Sequence, residues 1–347
     1  MIKVDYIIVG LGLAGIAFCE ALETAGKTFV VFDNGVGGAS RVAAGLYNPV
    51  ILKRYTLPWK AIEEFDLAIP FYKKIEQKLG FQCMEAMPVR KVFSSIEDQN
   101  NWFSASDKPS LERFISPKII PNTHDTIKAP YDYGEVLETG RIMIKKLQLE
   151  YKHYLEANDA FTKVSFVHSN ITFKEGCAVY ENYQATRIVF AEGYGIKENP
   201  FFKTLPLIGN KGEYIIIKAP DLKLTAALKS SFFVVPLGDD TYKVGASYNW
   251  IDKDIAPSTA AREEIIEKMK TLLTCEYEII NQEVGIRPTT KDRRPLLGVH
   301  PEYSQLAVLN GLGTRGVMAS PLLANYLFNF LEKGIALPAE VDIQRFS

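Results

Sequence analysis

The chain has 347 residues, and its 40 Lys and Arg against 41 Asp and Glu leave a net charge of -1. At roughly 100–200 residues per domain this length suggests about two domains. A composition of 47% hydrophobic and 23% charged residues excludes global disorder. The even charge balance disfavours a strongly basic nucleic-acid binder.

Four cysteines (Cys19, Cys83, Cys177, Cys275) show no CxxC spacing, and the four histidines are dispersed. No metal site is expected, and scattered reduced thiols suit a cytosolic protein. Tyr6–Cys19 is apolar like a signal-peptide core. Asp5 precedes it, however, no basic segment flanks it, and it falls short of the ~18 apolar residues of a spanning helix. The expectation is a soluble, cytoplasmic protein with no membrane span.

Val4–Val9 reads as a buried parallel strand. Gly10-Leu11-Gly12-Leu-Ala14-Gly15 follows, then a helix over Ile16–Ala25, a second strand over Thr28–Phe32, and Asp33. Strand, GxGxxG, helix, strand and acid in this order form a dinucleotide-binding fingerprint. Gly10 permits the tight turn, Gly12 lets backbone approach a pyrophosphate, and Gly15 lets helix and strand pack closely. The helix N-terminus offers N–H groups to the phosphates, and Asp33 is placed to accept from a ribose hydroxyl. That acid disfavours NADP. The fingerprint alone does not separate FAD from NAD.

Gly35–Gly45 is a small-residue loop leaving the nucleotide-binding edge, and it is read as touching the ligand. Ile62–Lys78 has helical spacing interrupted by Pro70. Residues 80–133 mix short strands with turns. Glu135–Ala157 reads as one long helix with a solvated basic face. Phe161–Phe173, Ala178–Tyr180 and Thr186–Ala191 read as strands, the last running into Glu192-Gly193-Tyr-Gly195. Glu213–Lys218, Phe232–Val235, Tyr242–Ala246 and Glu276–Pro288 look like antiparallel strands. Ser258–Leu273 reads as an amphipathic helix with Ser258 as N-cap.

Ser304–Leu309 is a further strand, followed by Gly311-Leu-Gly313-Thr314-Arg315-Gly316 and a helix over Val317–Leu331. A second Rossmann unit is not expected, because only 13 residues follow Gly334. What survives is a glycine turn aiming a helix N-terminus at negative charge. In a flavoprotein the target is the N1–C2=O edge of the isoalloxazine. Upstream, Arg287 sits between a strand and Pro288, where a guanidinium can grip a carboxylate with two hydrogen bonds. A structural salt bridge is the alternative at that point.

The N-terminal fingerprint, Ser40–Gly45, Val244-Gly-Ala-Ser-Tyr248 and Gly285–Pro321, with its GxRPxxxDxxPxxG pattern, span the chain. Together they resemble the D-amino-acid oxidase family of FAD-dependent oxidoreductases, which includes glycine oxidase and sarcosine oxidase. The resemblance implies an α/β fold, with a Rossmann-type FAD-binding domain (1–60, 134–205 and 285–347) interleaved with an antiparallel-sheet substrate domain (61–133 and 206–284). It implies that Gly10, Leu11, Gly12, Ala14, Gly15, Asp33 and Asn34 hold FAD, along with Ser40, Arg41, Ala44 and Gly45. It adds Val167, Ala191 and Gly193, and the Gly311, Gly313, Thr314, Arg315 and Gly316 turn against the flavin. Arg287 would bind the substrate carboxylate. Phe233 stands where glycine oxidase has a substrate-side Tyr; Tyr248 could restore the hydroxyl, and Tyr47 would border the pocket. No cysteine matches the covalent flavin anchor of sarcosine oxidase, so FAD is expected to be non-covalent.

Gly45-Leu-Tyr-Asn-Pro49 and Gly311–Gly316 are also similar to the oxidase domain of the bifunctional tRNA wobble-uridine modification enzyme. The expected reaction is oxidation of the C–N bond of a small amino or imino acid carrying a carboxylate. Hydride passes to flavin N5, the imine product hydrolyses to an oxo acid, and O2 or another acceptor reoxidises the cofactor. Two alternatives stay open. One is a tRNA-modifying enzyme, with Lys53, Arg54, Arg293 and Arg294 as a basic patch. The other is a 2-hydroxy-acid dehydrogenase.

Overall fold

The computed structural model describes residues 1–36 and 38–346. Among them two eight-stranded sheets dominate. The first is built on the Ile2–Val9 strand, which pairs in parallel with Phe29–Phe32 on one side and Tyr183–Phe190 on the other. Leu306–Asn310 extends it, again in parallel, along Tyr183–Phe190. The Ile2–Val9 strand is buried on both faces over Tyr6–Val9, which explains its unbroken apolar run. This sheet carries the Rossmann-type unit. The helices Leu13–Thr24 and Gly316–Lys333 pack together on one of its faces.

The second sheet is mainly antiparallel. Its order is Glu278–Arg287, Asn210–Lys218, Thr241–Gly245, Phe233–Gly238, Ala227–Lys229, Val89–Val92, Tyr133–Val136, Ile115–Ile120. One face packs Ile215, Ile217, Val234 and Val244 against Ile265 and Met269 of the Thr259–Lys270 helix. The alternate residues of the same strands are therefore free to face the first sheet's ligand-binding edge.

Several sequence expectations are corrected. Glu135–Ala157 is not one helix. Tyr133–Val136 and Gly140–Ile142 are strands, and the helix begins at Ile144. Gly140 marks the break: it is a poor helix former, and it pairs with Tyr47 across neighbouring strands, where a Cβ would lie 2.1 Å from the Tyr47 hydroxyl. Pro70 does not interrupt its helix, which runs from Ala61 to Leu79. Burial of Phe65, Ala68, Tyr72 and Ile75 along one stripe outweighs a proline penalty of about 3 kcal/mol. Phe161–Phe173 is broken into the strand Phe161–Thr162, a turn of 3₁₀ helix at His168–Asn170, and the strand beginning at Thr172. The Gly35–Gly45 loop contains a short helix, Ala39–Val42, and Gly37 lies outside the described residues. The strand before Tyr248 ends at Gly245, so Tyr248 stands on a loop.

Candidate active site

A cavity of about 1030 Å³ runs from the Gly10–Ala14 turn to Arg287 and Tyr248. At one end the Leu13–Thr24 helix starts with Gly12 as N-cap and no side-chain cap of its own. Ser40 gives partial compensation, its Oγ accepting the Leu13 N–H at 3.4 Å. A Cβ on Gly12 would meet nothing closer than that Oγ at 3.5 Å, so the turn opens onto the cavity. Gly10 has φ +100°, and a Cβ there would sit 2.6 Å from the Ala191 carbonyl oxygen. At Gly15 a Cβ would lie 2.0 Å from the Gly10 carbonyl oxygen. Both positions are therefore closed to any larger residue.

The Asp33 carboxylate already accepts two backbone donors. Leu11 N–H reaches Oδ2 at 2.7 Å and Gly35 N–H reaches Oδ1 at 2.7 Å. Each oxygen keeps one lone pair for a ligand hydroxyl. Behind the turn, Gln148 Nε2 donates to the Leu11 carbonyl at 2.9 Å, while its Oε1 is buried without a partner. Gln148 lines the cavity, so a ligand donor would satisfy that atom.

The long Gly316–Lys333 helix aims its N-terminus at the same cavity, again with no side-chain cap. Its turn is pinned by Gly313 N–H donating to the Pro288 carbonyl at 3.0 Å. Arg315 turns away from the helix axis, donates to the Trp59 carbonyl at 3.1 Å and pairs with Glu64. Burial raises the Glu64 carboxyl to about 7 despite that partner, and burial lowers the Arg315 guanidinium.

At the far end stands Arg287, only 8% exposed. Its Nη1 donates to Asn210 Oδ1 at 2.7 Å and makes a long contact with the Ser247 carbonyl at 3.5 Å. No carboxylate pairs with it among the described residues. The guanidinium lies flat against Gly212, where a Cβ would be 2.2 Å from both Nη1 and Nη2. The Tyr248 ring stacks on it, 4.7 Å from Cζ. Burial holds the neighbouring Tyr214 phenol above its usual range, with Arg287 working in the opposite direction.

A family model of FAD dependent oxidoreductases matches residues 5–329. The chain belongs to that family. Glycine oxidase from Bacillus subtilis (strain 168) is 24% identical over 349 residues, covering 91% of this chain and 90% of that protein. The tRNA 5-methylaminomethyl-2-thiouridine biosynthesis bifunctional protein MnmC of Campylobacter jejuni subsp. doylei is 25% identical over 297 residues. That match covers 84% of this chain and 45% of MnmC. The crystal structure of glycine oxidase from Geobacillus kaustophilus superposes with a TM-score of 0.77 at 20% identity, covering 100% of this chain and 98% of the other, which shows a shared fold.

This FAD-dependent oxidoreductase has a cavity that fits its cofactor. Two helix N-termini without a cap of their own, a glycine turn that is closed to side chains at Gly10 and Gly15 and opens onto the cavity at Gly12, and the orphaned Gln148 oxygen suit a long, phosphate-bearing ligand. The structure brings most sequence-expected residues to this one cavity: Gly10, Leu11, Gly12, Ala14, Asp33, Asn34, Ser40, Arg41, Ala44 and Gly45 at one end. Ala191, Gly193, Gly313, Thr314, Arg315, Gly316, Phe233, Tyr248 and Arg287 line the remainder. Gly15 and Gly311 stand behind the lining and act through packing. Val167 lies outside it, half exposed, with its N–H donating to the Tyr180 hydroxyl at 3.0 Å. Tyr47 is also outside: its ring is buried against Phe65 and Gly140, so it belongs to the core. Tyr248 is 60% exposed at the mouth.

Sequence reasoning missed Gln148, Asn210, Gly212 and Lys229. A lone glycine inside the Asn210–Lys218 strand was the one available signal, since such a glycine marks a close approach. The other three declare themselves only through long-range contacts. Among the described residues no helix is long and apolar enough to cross a membrane.

Proposed function

We propose that this enzyme oxidises the C–N bond of an amino or imino acid, with Arg287 holding the substrate carboxylate. One observation carries the reading. A buried guanidinium without a carboxylate partner among the described residues faces the cavity that both helix N-termini face. Leaving that charge unpaired is unfavourable, and a substrate carboxylate compensates it with two charge-assisted hydrogen bonds. Gly212 and Asn210 set the guanidinium's plane and Tyr248 covers it, so the carboxylate arrives in a fixed orientation.

The Gly10–Gly15 and Gly313–Gly316 turns would hold FAD, without a covalent link, and when bound it would supply the acceptor for a hydride from the carbon beside nitrogen. The amine reacts as the neutral base, and no side-chain base is required. Water hydrolyses the resulting imine to an oxo acid, and the nitrogen leaves as ammonia or as the remaining amine. The Gly316–Lys333 helix N-terminus, with its partial positive charge, would favour negative charge on a group held against it. The likeness to glycine oxidase supports this reaction class.

The test is an anaerobic visible spectrum of the flavin-loaded protein with a panel of amino, N-methyl amino and hydroxy acids. Bleaching by amines supports the reading; bleaching by hydroxy acids alone refutes it. Arg287→Ala is expected to raise KM strongly while retaining bound flavin. A second reading, action on a modified uridine of tRNA, is supported by the MnmC likeness and by exposed Lys53 and Arg54 flanking the cavity-lining Ile51. It predicts tRNA binding with a steep salt dependence.

A further inference from the structure

Lys229 ends the Ala227–Lys229 strand on the face of the sheet that carries Arg287. Directly paired residues of neighbouring strands point the same way. The register runs Glu283, Tyr214, Gly245, Phe233, Lys229 across five strands. Arg287 and Gly212 lie an even number of residues from this row, so they share its face. The Lys229 ammonium lies over the Phe233 ring, 4.8 Å from its centroid, and lines the cavity.

Among the described residues Arg41 and Lys163 also line the cavity without an acid, but both are exposed to solvent, whereas the less exposed cations near this face have acids. Lys91 pairs with Asp98 at 2.7 Å, Lys243 pairs with Glu283 at 2.6 Å, and Arg315 pairs with Glu64. Among the described residues no acid faces Lys229. Burial, with the charges of Lys91 and Lys268 adding to it, pushes its ammonium down to about 8. Arg287 is likewise without a carboxylate. Two uncompensated, largely buried cations therefore open on one cavity. A ligand with two anionic groups removes both penalties at once.

We propose that Lys229 binds a second carboxylate, so that the substrate is an amino or imino diacid. The inference rests on the amino-acid reading and on Arg287 holding the first carboxylate. With strands about 4.8 Å apart and residues about 3.4 Å apart along them, the guanidinium over Gly212 and the ammonium beside Phe233 are on the order of 12 Å apart. Allowing about 2.9 Å for each N–H···O contact places the two carboxylates roughly 5–7 Å apart, the span of four or five bonds in an extended chain. Phe233 lies beneath the ammonium, so its ring supports the lysine stem at the distal end of such a molecule.

N-(carboxymethyl)-, N-(2-carboxyethyl)- and N-(3-carboxypropyl)glycine, each against its distal carboxamide, form an achiral test panel. The readout is kcat/KM for anaerobic flavin bleaching. The expected result is a preference of about 10- to 100-fold for a diacid over its amide, the worth of one charge-assisted hydrogen bond. Lys229→Gln should bring that ratio close to 1 and Lys229→Arg should retain it, with bound flavin reporting the fold of each variant. Equal rates for diacids and amides in the wild type overturn the inference and leave the amino-acid reading standing. So does a Lys229→Gln variant that keeps the ratio, or one altered only in reoxidation by O2. If neither these compounds nor simple amino acids bleach the flavin, the amino-acid reading fails, and this inference falls with it.

Discussion

Gly212→Ala separates a positioning effect on Arg287 from any loss of the residue itself. The backbone of Gly212 is outside the left-handed region, so alanine introduces no conformational strain. The new methyl would stand 2.2 Å from both terminal nitrogens of Arg287, a distance that Cβ atoms do not reach. The guanidinium must move by an ångström or more, and its 2.7 Å bond to Asn210 Oδ1 breaks or bends. If a substrate carboxylate is held there by two charge-assisted hydrogen bonds of about 1.5–3 kcal/mol each, losing one raises KM about 10- to 100-fold. Overpacking costs the fold only about 1–3 kcal/mol. Flavin content should stay unchanged, because Gly212 is remote from the Gly10–Gly15 turn. The assay is anaerobic titration of the flavin band with the best substrate, alongside the flavin-to-protein absorbance ratio. A flavin-replete Gly212→Ala protein with wild-type KM would refute the argument that Arg287 is the carboxylate clamp.

Gly15→Ala should give protein without flavin or no soluble protein, because its methyl meets the Gly10 carbonyl oxygen at 2.0 Å, and backbone cannot yield; flavin absorbance after purification checks this. Glu64 makes a pH prediction. Its folded value of about 7 lies above the ordinary 4.5, so the folded state binds the proton more tightly than the unfolded one, and stability falls as pH rises between those values. Glu64→Gln should flatten that part of the Tm profile by at most about 3 kcal/mol, and parallel profiles for variant and wild type would contradict it. Ser258→Ala removes the N-cap that accepts the Ala261 N–H and donates to Glu213 at 2.7 Å, and thermal unfolding should show a loss of about 1 kcal/mol.

Local chemistry explains what was legible in the sequence. The Gly10–Gly15 turn, the uncapped helix at Gly316 and the edge position of Arg287 each follow from a few contiguous residues, and the structure has them where their spacing predicts. Ser258 likewise declares a helix start through its own side chain. Tyr47 misled because a tyrosine beside a glycine-rich ligand loop resembles a pocket residue. Only the packing of Gly140, more than 90 residues away, shows that its ring is core. Lys229 was illegible for the same reason, since its meaning depends on cross-strand register. The break between Val136 and Ile144 was hidden because helical spacing in 144–157 extends by chance into the preceding strands.

The alternation of the antiparallel sheet bears on how such an enzyme can change its diet. Tyr214, Phe233 and Lys229 face the cavity, while their chain neighbours Ile215, Val234 and Leu228 fill the core behind them. Replacing a cavity-facing residue leaves the core behind the sheet untouched, and none of these positions lies in the glycine turns at the other end of the cavity. Substrate range can therefore drift by single substitutions along one row of side chains, with little penalty to folding and without disturbing the cofactor's seat.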